Sequence, residues 1–352
     1  MVSGLGDDHL LARLAANEHI LAKSYESLCA AVHDKQTISP AGEWLLDNFH
    51  LIEEQIRTAR RHLPRHYCRT LPHLAAHEGQ ASIPRVYDIA LEIIRHVDGR
   101  VDIENMTAFV DSYQERSPLR LAELWAIPIM LRLALIENLR RVAVRVVSAL
   151  KDRHQAKAWS QLLVKASDQD PGSLILVVAD LARSNPHLSN AFVADFVRGL
   201  HGHSRTLDIP LTWLTFQLEG SGRTIAQTIQ LESHQQAANQ VSVSSSISSL
   251  RYLDSTNWQD FVESASVVEA ALRMDPAGVY SAMAFSSRDQ YRHSVERLSK
   301  KYRMREWDVA QKAVSLSKPY KDPTIKEKKR QPAAPGMIFA KAPILLLILI
   351  GK

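Results

Sequence analysis

Apolar residues recur every three or four positions along most of this chain, and that spacing constrains the fold more than any other feature. Such spacing places apolar side chains on one face of a helix, which is stable only when another element covers that face. Glycine content points the same way, because 13 glycines in 352 residues leave few positions for the tight turns of a strand-rich fold. The sequence therefore predicts an all-α fold, a multi-helix array of amphipathic helix pairs.

Capping residues and prolines predict where the first helices begin and end. Residues 8–32 form one amphipathic stretch. Ser39 and Pro40 then suit the N-cap and the first position of a second helix, which is predicted to run until Pro64. The helix pairs are predicted to pack around five large apolar side chains: Trp44, Phe49, Trp125, Ile129 and Leu133.

Three apolar segments are harder to assign. Residues 119–150 carry too many charges for a bilayer span and contain Pro128, so they predict a buried helix pair with a kink or a break. Residues 240–253 interleave Ser with apolar residues, which predicts either a strand or a helix with a small-residue face. Residues 174–178 lie in a stretch of helical pattern but could also form a short buried strand, because periodicity alone is ambiguous for an apolar run this short.

The pattern divides the chain into helical subdomains at 1–150 and 151–317 and a tail at 318–352. The Lys- and Pro-rich tail predicts disorder and ends in an apolar run too short to cross a bilayer. It holds eight Lys or Arg and two Asp or Glu, which leaves 35 basic and 36 acidic residues elsewhere. A neutral body lacks the basic face that nucleic acid requires, so no nucleic-acid partner is predicted.

A basic cluster at the end of the second helix is the first candidate binding site. Arginine forks bind planar anions such as phosphate, an anionic lipid or the acidic face of another domain. The alternative is structural, because Glu53 precedes Arg57 by four residues, the spacing of an ordinary helical ion pair. The cluster comprises Arg57, Arg60, Arg61, Arg65 and Tyr67.

Acidic pairs are weak metal candidates. Asp168 and Asp170 form an Asp-x-Asp, which in many glycosyltransferases holds the metal of a sugar nucleotide. The preceding residues predict a helix, however, and a polar interhelical loop is favoured. His50, Glu53 and Glu54 share a helix face, but no matching second set occurs, so a solvated face is favoured. No cofactor, metal or catalytic nucleophile is predicted.

Long strings between residues 10 and 315 resemble the N-terminal region of bacterial cyclic β-1,2-glucan synthases. The matching strings are EWLLDNFHLIEEQIR (43–57), RHLP (61–64), RVYDIALE (85–92), HVDGR (96–100), ELWAIPIMLR (123–132), LIENLRR (135–141), NQVSV (239–243), DPAGVY (275–280) and RDQYR (288–292). Strings of this length are far more specific than short motifs, and they are spread over most of the chain.

The resemblance implies a layout that periodicity and spacing do not show. In that family a helical N-terminal region precedes a membrane-embedded glycosyltransferase that builds β-1,2-glucan from UDP-glucose, and a phosphorylase-like domain follows. The transferase carries a Gln-x-x-Arg-Trp acceptor motif that does not occur in this sequence. No catalytic residue is therefore carried over, and whether this chain is an enzyme stays open. The resemblance ends near Ser317, which predicts a truncated or frameshifted fragment.

The resemblance implies a non-catalytic scaffold or regulatory region at the cytoplasmic side of the bacterial inner membrane, or in the cytoplasm if truncated. Expected partners are the glycosyltransferase and membrane domains of the same synthase, with a membrane surface and β-glucan as further candidates. Two alternatives stay open: a metal-dependent glycosyltransferase that uses Asp168 and Asp170, and a glucan-binding module that presents exposed Trp or Tyr faces.

Overall fold

The computed structural model confirms the all-α prediction. It describes residues 9–63, 71–74, 82–169, 172–202, 207–276 and 278–317, and within these ranges it contains fourteen α-helices, one 3₁₀ turn and no strand. The predicted tail at 318–352, together with Arg65, Tyr67 and Asp170, lies outside the described residues. The helices are α1 (His9–His33), α2 (Pro40–Asp47), α3 (Phe49–His62), α4 (Arg85–His96), α5 (Ile103–Gln114), α6 (Leu121–Gln169), α7 (Leu174–Ser184), α8 (Asn190–Leu200), α9 (Asp208–Glu219), α10 (Ile225–Ser255), α11 (Trp258–Ala265), α12 (Val267–Arg273), α13 (Phe285–Tyr302) and α14 (Glu306–Ser317), with the 3₁₀ turn at Tyr280–Ala282.

Two compact units interleave along the chain. Unit 1 comprises the described parts of 1–66, 94–101 and 131–254, and unit 2 those of 67–93, 102–130 and 255–352. Helix α6 contributes its first ten residues to unit 2 and the remainder to unit 1. The continuous subdomains at 1–150 and 151–317 are a division of the sequence and stay a prediction.

Each unit has its own apolar core. In unit 1, one cluster joins the second half of α6 to α7, α8 and α9 through side chains such as Leu163, Leu181 and Phe196. In unit 2, α12, α13 and α14 pack around Val268, Val295 and similar residues. Long helices with one buried stripe are stabilised mainly by this packing rather than by intrinsic propensity.

Two of the doubtful apolar segments fold as helices. Residues 240–253 lie inside α10, which confirms the alternative of a helix with a small-residue face and makes the strand prediction wrong. Residues 174–178 open α7, which confirms the helical pattern there and makes the alternative of a short strand wrong. In each segment one face is buried by neighbouring helices, through Leu174 in α7 and through Val243 and Ile247 in α10, while Ile175 and Val241 stay exposed. One-sided burial at helical spacing outweighs a local β preference.

Helix α6 is a single helix that runs continuously through Pro128, so the predicted helix pair is wrong and, of the predicted kink or break, the break is wrong. An internal proline removes one backbone hydrogen bond and costs about 3 kcal/mol. The neighbouring Ile127, Ile129 and Met130 are all buried. Burial of three such side chains contributes roughly 5 kcal/mol or more, which offsets the loss of the hydrogen bond.

The second predicted helix is interrupted. Asn48 separates α2 from α3; its side-chain amide donates to the carbonyl of Trp44, and its amide oxygen accepts from Arg251. Helix α2 therefore buries Ala41, Gly42 and Leu45, while Trp44 remains 38% exposed. The prediction of Trp44 as a core residue is wrong, because its side chain lies outside the face of α2 that carries Ala41, Gly42 and Leu45.

None of the helices in the described part of the chain is both long and apolar enough to span a bilayer.

Candidate functional site

Unit 1 contains a polar bridge between three helices, in which Arg132 and Gln55 are buried and Asp254 is about half exposed. The Arg132 guanidinium donates from Nε to Gln55 Oε1 at 2.7 Å and from Nη2 to Asp254 Oδ1 at 2.5 Å. Gln55 completes the triangle by donating to Asp254 Oδ2 at 2.6 Å. These contacts connect α3, α6 and α10, and the charged groups of Arg132 and Asp254 pair with each other and with Gln55. The bridge therefore fixes the positions of the helices and does not present a reactive group.

The serine face of α10 serves the same purpose. Ser242 and Ser246 accept hydrogen bonds from Asn138 at 2.9 and 3.0 Å. Ser249 donates to the carbonyl of Gly99 at 2.7 Å and accepts from the amide of Val101 at 2.8 Å. Small hydroxyl side chains allow the α4–α5 connection to approach α10 closely while its backbone groups stay paired.

Unit 2 contains a larger buried ionic network centred on Arg292. Its Nη1 lies 2.8 Å from Glu269 and 3.0 Å from Glu263, and its Nη2 lies 3.1 Å from Asp289. Arg288 donates to both oxygens of Glu263, at 2.8 and 2.7 Å. The Arg292 side chain is fully buried and lies over the ring of Phe285. The network therefore connects α11, α12 and α13.

The network shifts the pKa of three of its members, Glu263, Tyr280 and Arg292. Burial alone would raise the pKa of Glu263, but hydrogen bonds from Arg288 and Arg292 outweigh it and hold that pKa below its ordinary value. Burial raises the pKa of Tyr280, and the hydrogen bond of its hydroxyl to Glu269 raises it further. The arginines thus favour the ionised form of Glu263, and the ion pairs hold the three helices together.

The structure describes three members of the predicted basic cluster. Arg60 forms an ion pair with Glu18 of α1, and both side chains are substantially exposed. Arg57 and Arg61 are exposed on α3 and form no ion pair with a described side chain. The expected pair between Glu53 and Arg57 is not formed. Because Arg65 and Tyr67 lie outside the described residues, a binding role for the cluster stays a prediction.

Among the described residues, the structure does not bring the weak metal candidates together into one site. Asp168 is exposed near the end of α6, and its predicted partner Asp170 is not described. His50, Glu53 and Glu54 are exposed on α3. Within the described ranges, no three His, Cys, Asp or Glu side chains are grouped so that they could hold a metal ion.

A cleft in unit 2 gathers positive charge that the sequence analysis did not single out. It has a volume of about 820 Å³, within the usual range for small-ligand sites. Arginines from the α5–α6 connection face arginines from the α13–α14 connection, with Trp307 in the wall. Its charged lining residues are Arg85, Arg116, Arg120, Lys300, Arg303, Arg305 and Glu306. We call this the unit 2 cleft.

Unit 1 has a second cleft, of about 860 Å³, with a more balanced lining. Lys35, Arg153, Lys157 and Arg198 contribute positive charge. Asp195 partly neutralises it, since that carboxylate pairs with Arg198 and lies 4.0 Å from Arg153. The unit 2 cleft consequently carries the larger excess of positive charge.

The comparison with known proteins agrees with the resemblance. The cyclic beta-(1,2)-glucan synthase NdvB of Rhizobium meliloti (strain 1021) is 32% identical over 305 residues, which cover 87% of this chain. This chain is similar to the cyclic beta-glucan synthase family. It spans about a tenth of the length of that curated relative. No family model matches the chain.

Proposed function

We propose that this chain is a helical scaffold or regulatory module of a cyclic β-1,2-glucan synthase, acting at the cytoplasmic side of the bacterial inner membrane. The similarity to NdvB extends over most of this chain but only a tenth of that synthase, as a module of a larger protein would. Its partners would be the glycosyltransferase and membrane domains of the same synthase.

The observation that carries a non-catalytic role is the state of the buried carboxylates. Glu123 accepts from Arg85, Glu137 from Arg13, and Glu269 from Arg292. A general acid or base must reach its substrate. Carboxylates that are buried and bonded to arginine do not meet this requirement, and they serve instead to hold neighbouring helices in place.

Complementation with two separate proteins, this chain and a shortened NdvB, tests the proposal. The purified chain alone should produce no glucan from UDP-glucose and Mn²⁺. An NdvB derivative that lacks its matching segment should lose cyclic glucan synthesis, and co-expression of this chain should restore part of it. The Arg292→Met variant tests whether restoration needs the folded module, and Arg297→Met, an exposed arginine on the same helix, is its control.

Two results would contradict the proposal. Turnover of UDP-glucose by the chain alone, lost on Asp168→Asn substitution, would favour the metal-dependent glycosyltransferase. Full synthesis by the shortened NdvB without this chain would remove the scaffold role. Heats from a titration with β-1,2-glucan would instead favour a glucan-binding module.

A further inference from the structure

The charge in the unit 2 cleft is poorly compensated. Arg85 is neutralised by Glu123 at 2.6 Å, and Lys300 by Glu296 at 2.6 Å. Within the described part of the chain, the guanidinium groups of Arg116, Arg303 and Arg305 take part in no ion pair or side-chain hydrogen bond. Like charges that share a concave space repel one another and raise the local concentration of anions.

The acidic group in this cleft is committed to the fold. Glu306 is buried, and its Oε2 accepts a 2.9 Å hydrogen bond from the backbone amide of Leu121, the first residue of α6. It therefore caps that helix. Its charge acts on Arg120 and Lys300, but it forms no ion pair with Arg116, Arg303 or Arg305. Burial also raises its pKa, which reduces its negative charge towards acidic pH.

The arginines project from backbone that is held in place. Arg303 ends α13 with a positive φ of 54°. The Ser299 hydroxyl donates to the carbonyl of Met304 at 2.6 Å, and the Met304 amide donates back to the carbonyl of Ser299 at 3.1 Å. Because these two hydrogen bonds close the turn, the backbone that carries Arg303 and Arg305 needs little further ordering when a ligand binds.

We propose that the unit 2 cleft binds a phosphate-bearing anion through the forks of Arg116, Arg303 and Arg305. Arginine pairs with phosphate oxygens through two parallel hydrogen bonds, and several forks around one concavity suit a group with more than one negative charge. The volume of about 820 Å³ accommodates a diphosphate or a lipid headgroup. This inference is independent of the scaffold role.

Calorimetric titration of the full chain with inorganic pyrophosphate tests the site directly. We expect saturable binding that weakens about tenfold or more in the double variant Arg303→Gln/Arg305→Gln, because two charge-assisted contacts are removed. The matched control is Arg297→Gln, which removes an exposed arginine of α13 outside the cleft and should bind as the unchanged chain does. Circular dichroism checks that all three proteins are folded.

A second arm distinguishes the source of the phosphate. Co-sedimentation compares vesicles of phosphatidylglycerol in phosphatidylcholine with vesicles of phosphatidylcholine alone. Preference for the anionic vesicles, lost in the double variant and kept in the control, assigns a lipid headgroup. Pyrophosphate binding without that preference assigns a soluble phosphate. The proposal is overturned if neither probe binds, or if the double variant binds both as well as the control does.

Discussion

The hydroxyl of Tyr280 donates a 2.6 Å hydrogen bond to Glu269 Oε2, and both side chains are almost completely buried. The same oxygen accepts from Arg292 at 2.8 Å. A tyrosine from the 3₁₀ turn and an arginine from α13 therefore meet one carboxylate of α12. This shared acceptor makes the stability of unit 2 sensitive to single polar atoms.

Tyr280→Phe should destabilise unit 2 by about 1–2 kcal/mol, since it removes the hydroxyl and leaves one lone pair of a buried carboxylate unsatisfied. Urea denaturation followed by circular dichroism measures the free energy of unfolding. Tyr302→Phe, at the partly exposed end of α13, is the control and should change it by less than about 0.5 kcal/mol. Equal stability of both variants would contradict the role assigned to the hydroxyl.

Arg292→Met should lower the free energy of unfolding by about 3–5 kcal/mol, because it leaves Glu263 and Glu269 with uncompensated buried charge. The same denaturation experiment measures the loss, and Arg297→Met is the control on the same helix. A second variant, Arg292→Met/Glu269→Gln, should recover part of the stability, since it removes one of the stranded charges. A loss below about 1 kcal/mol in the single variant would show that the network contributes little.

Gly99→Ala should destabilise unit 1 for two reasons. Gly99 has a φ of 81°, and a Cβ there would lie 2.4 Å from Ser246 Oγ. Gly222 has a φ of 69° with open space around its Cα, so Gly222→Ala should cost only the strain, about 1 kcal/mol. Chemical denaturation should show that Gly99→Ala lowers the free energy of unfolding by about 2–3 kcal/mol.

A double substitution separates strain from overlap at this position. Adding Ser246→Ala to Gly99→Ala removes the overlapping hydroxyl, so the two changes together should cost less than the sum of each alone. Strict additivity would show that the close approach of Gly99 to α10 has no energetic consequence.

The acid stability of unit 2 should depend on Glu263. Its pKa in the fold lies below the unfolded value of about 4.3, so its contribution is complete above that pH. The contribution is lost as the pH falls through the folded pKa. Urea midpoints between pH 7 and pH 3 should therefore fall less steeply for Glu263→Gln than for the unchanged chain. A parallel slope for the two proteins would contradict this assignment.

Much of the helical layout could be predicted from local signals. Helix α1 was predicted at residues 8–32 and lies at His9–His33, and Ser39 caps α2 by accepting from the Gly42 amide. Both predictions depend on spacing and on hydrogen bonds within a few residues, which a sequence displays directly. The interruption at Asn48 was missed because its amide oxygen accepts from Arg251, about 200 positions away.

The charged clusters also show that a sequence displays contacts between neighbouring positions but not contacts between distant ones. The sequence drew attention to Arg57, Arg60 and Arg61 because they are adjacent, yet the structure leaves them exposed on α3. Arg116 and Arg303 are far apart in sequence, and no local pattern predicts that they line one cleft. The two closely spaced arginines at 303 and 305 are a local signal for the cleft. Such pairs are too common in helical proteins to predict a binding site by themselves.

The sequence by itself determined that this chain is helical, where its first two helices begin, and which family it resembles, because periodicity, capping and long matching strings are local properties. Tertiary structure alone decided which charges are buried in pairs and which remain uncompensated. Arg292 and Arg305 are the same residue type thirteen positions apart, but one is surrounded by three carboxylates and the other lines an open cleft. That difference arises from the helices packed around each side chain, and it decides whether an arginine stabilises the fold or is available to a ligand.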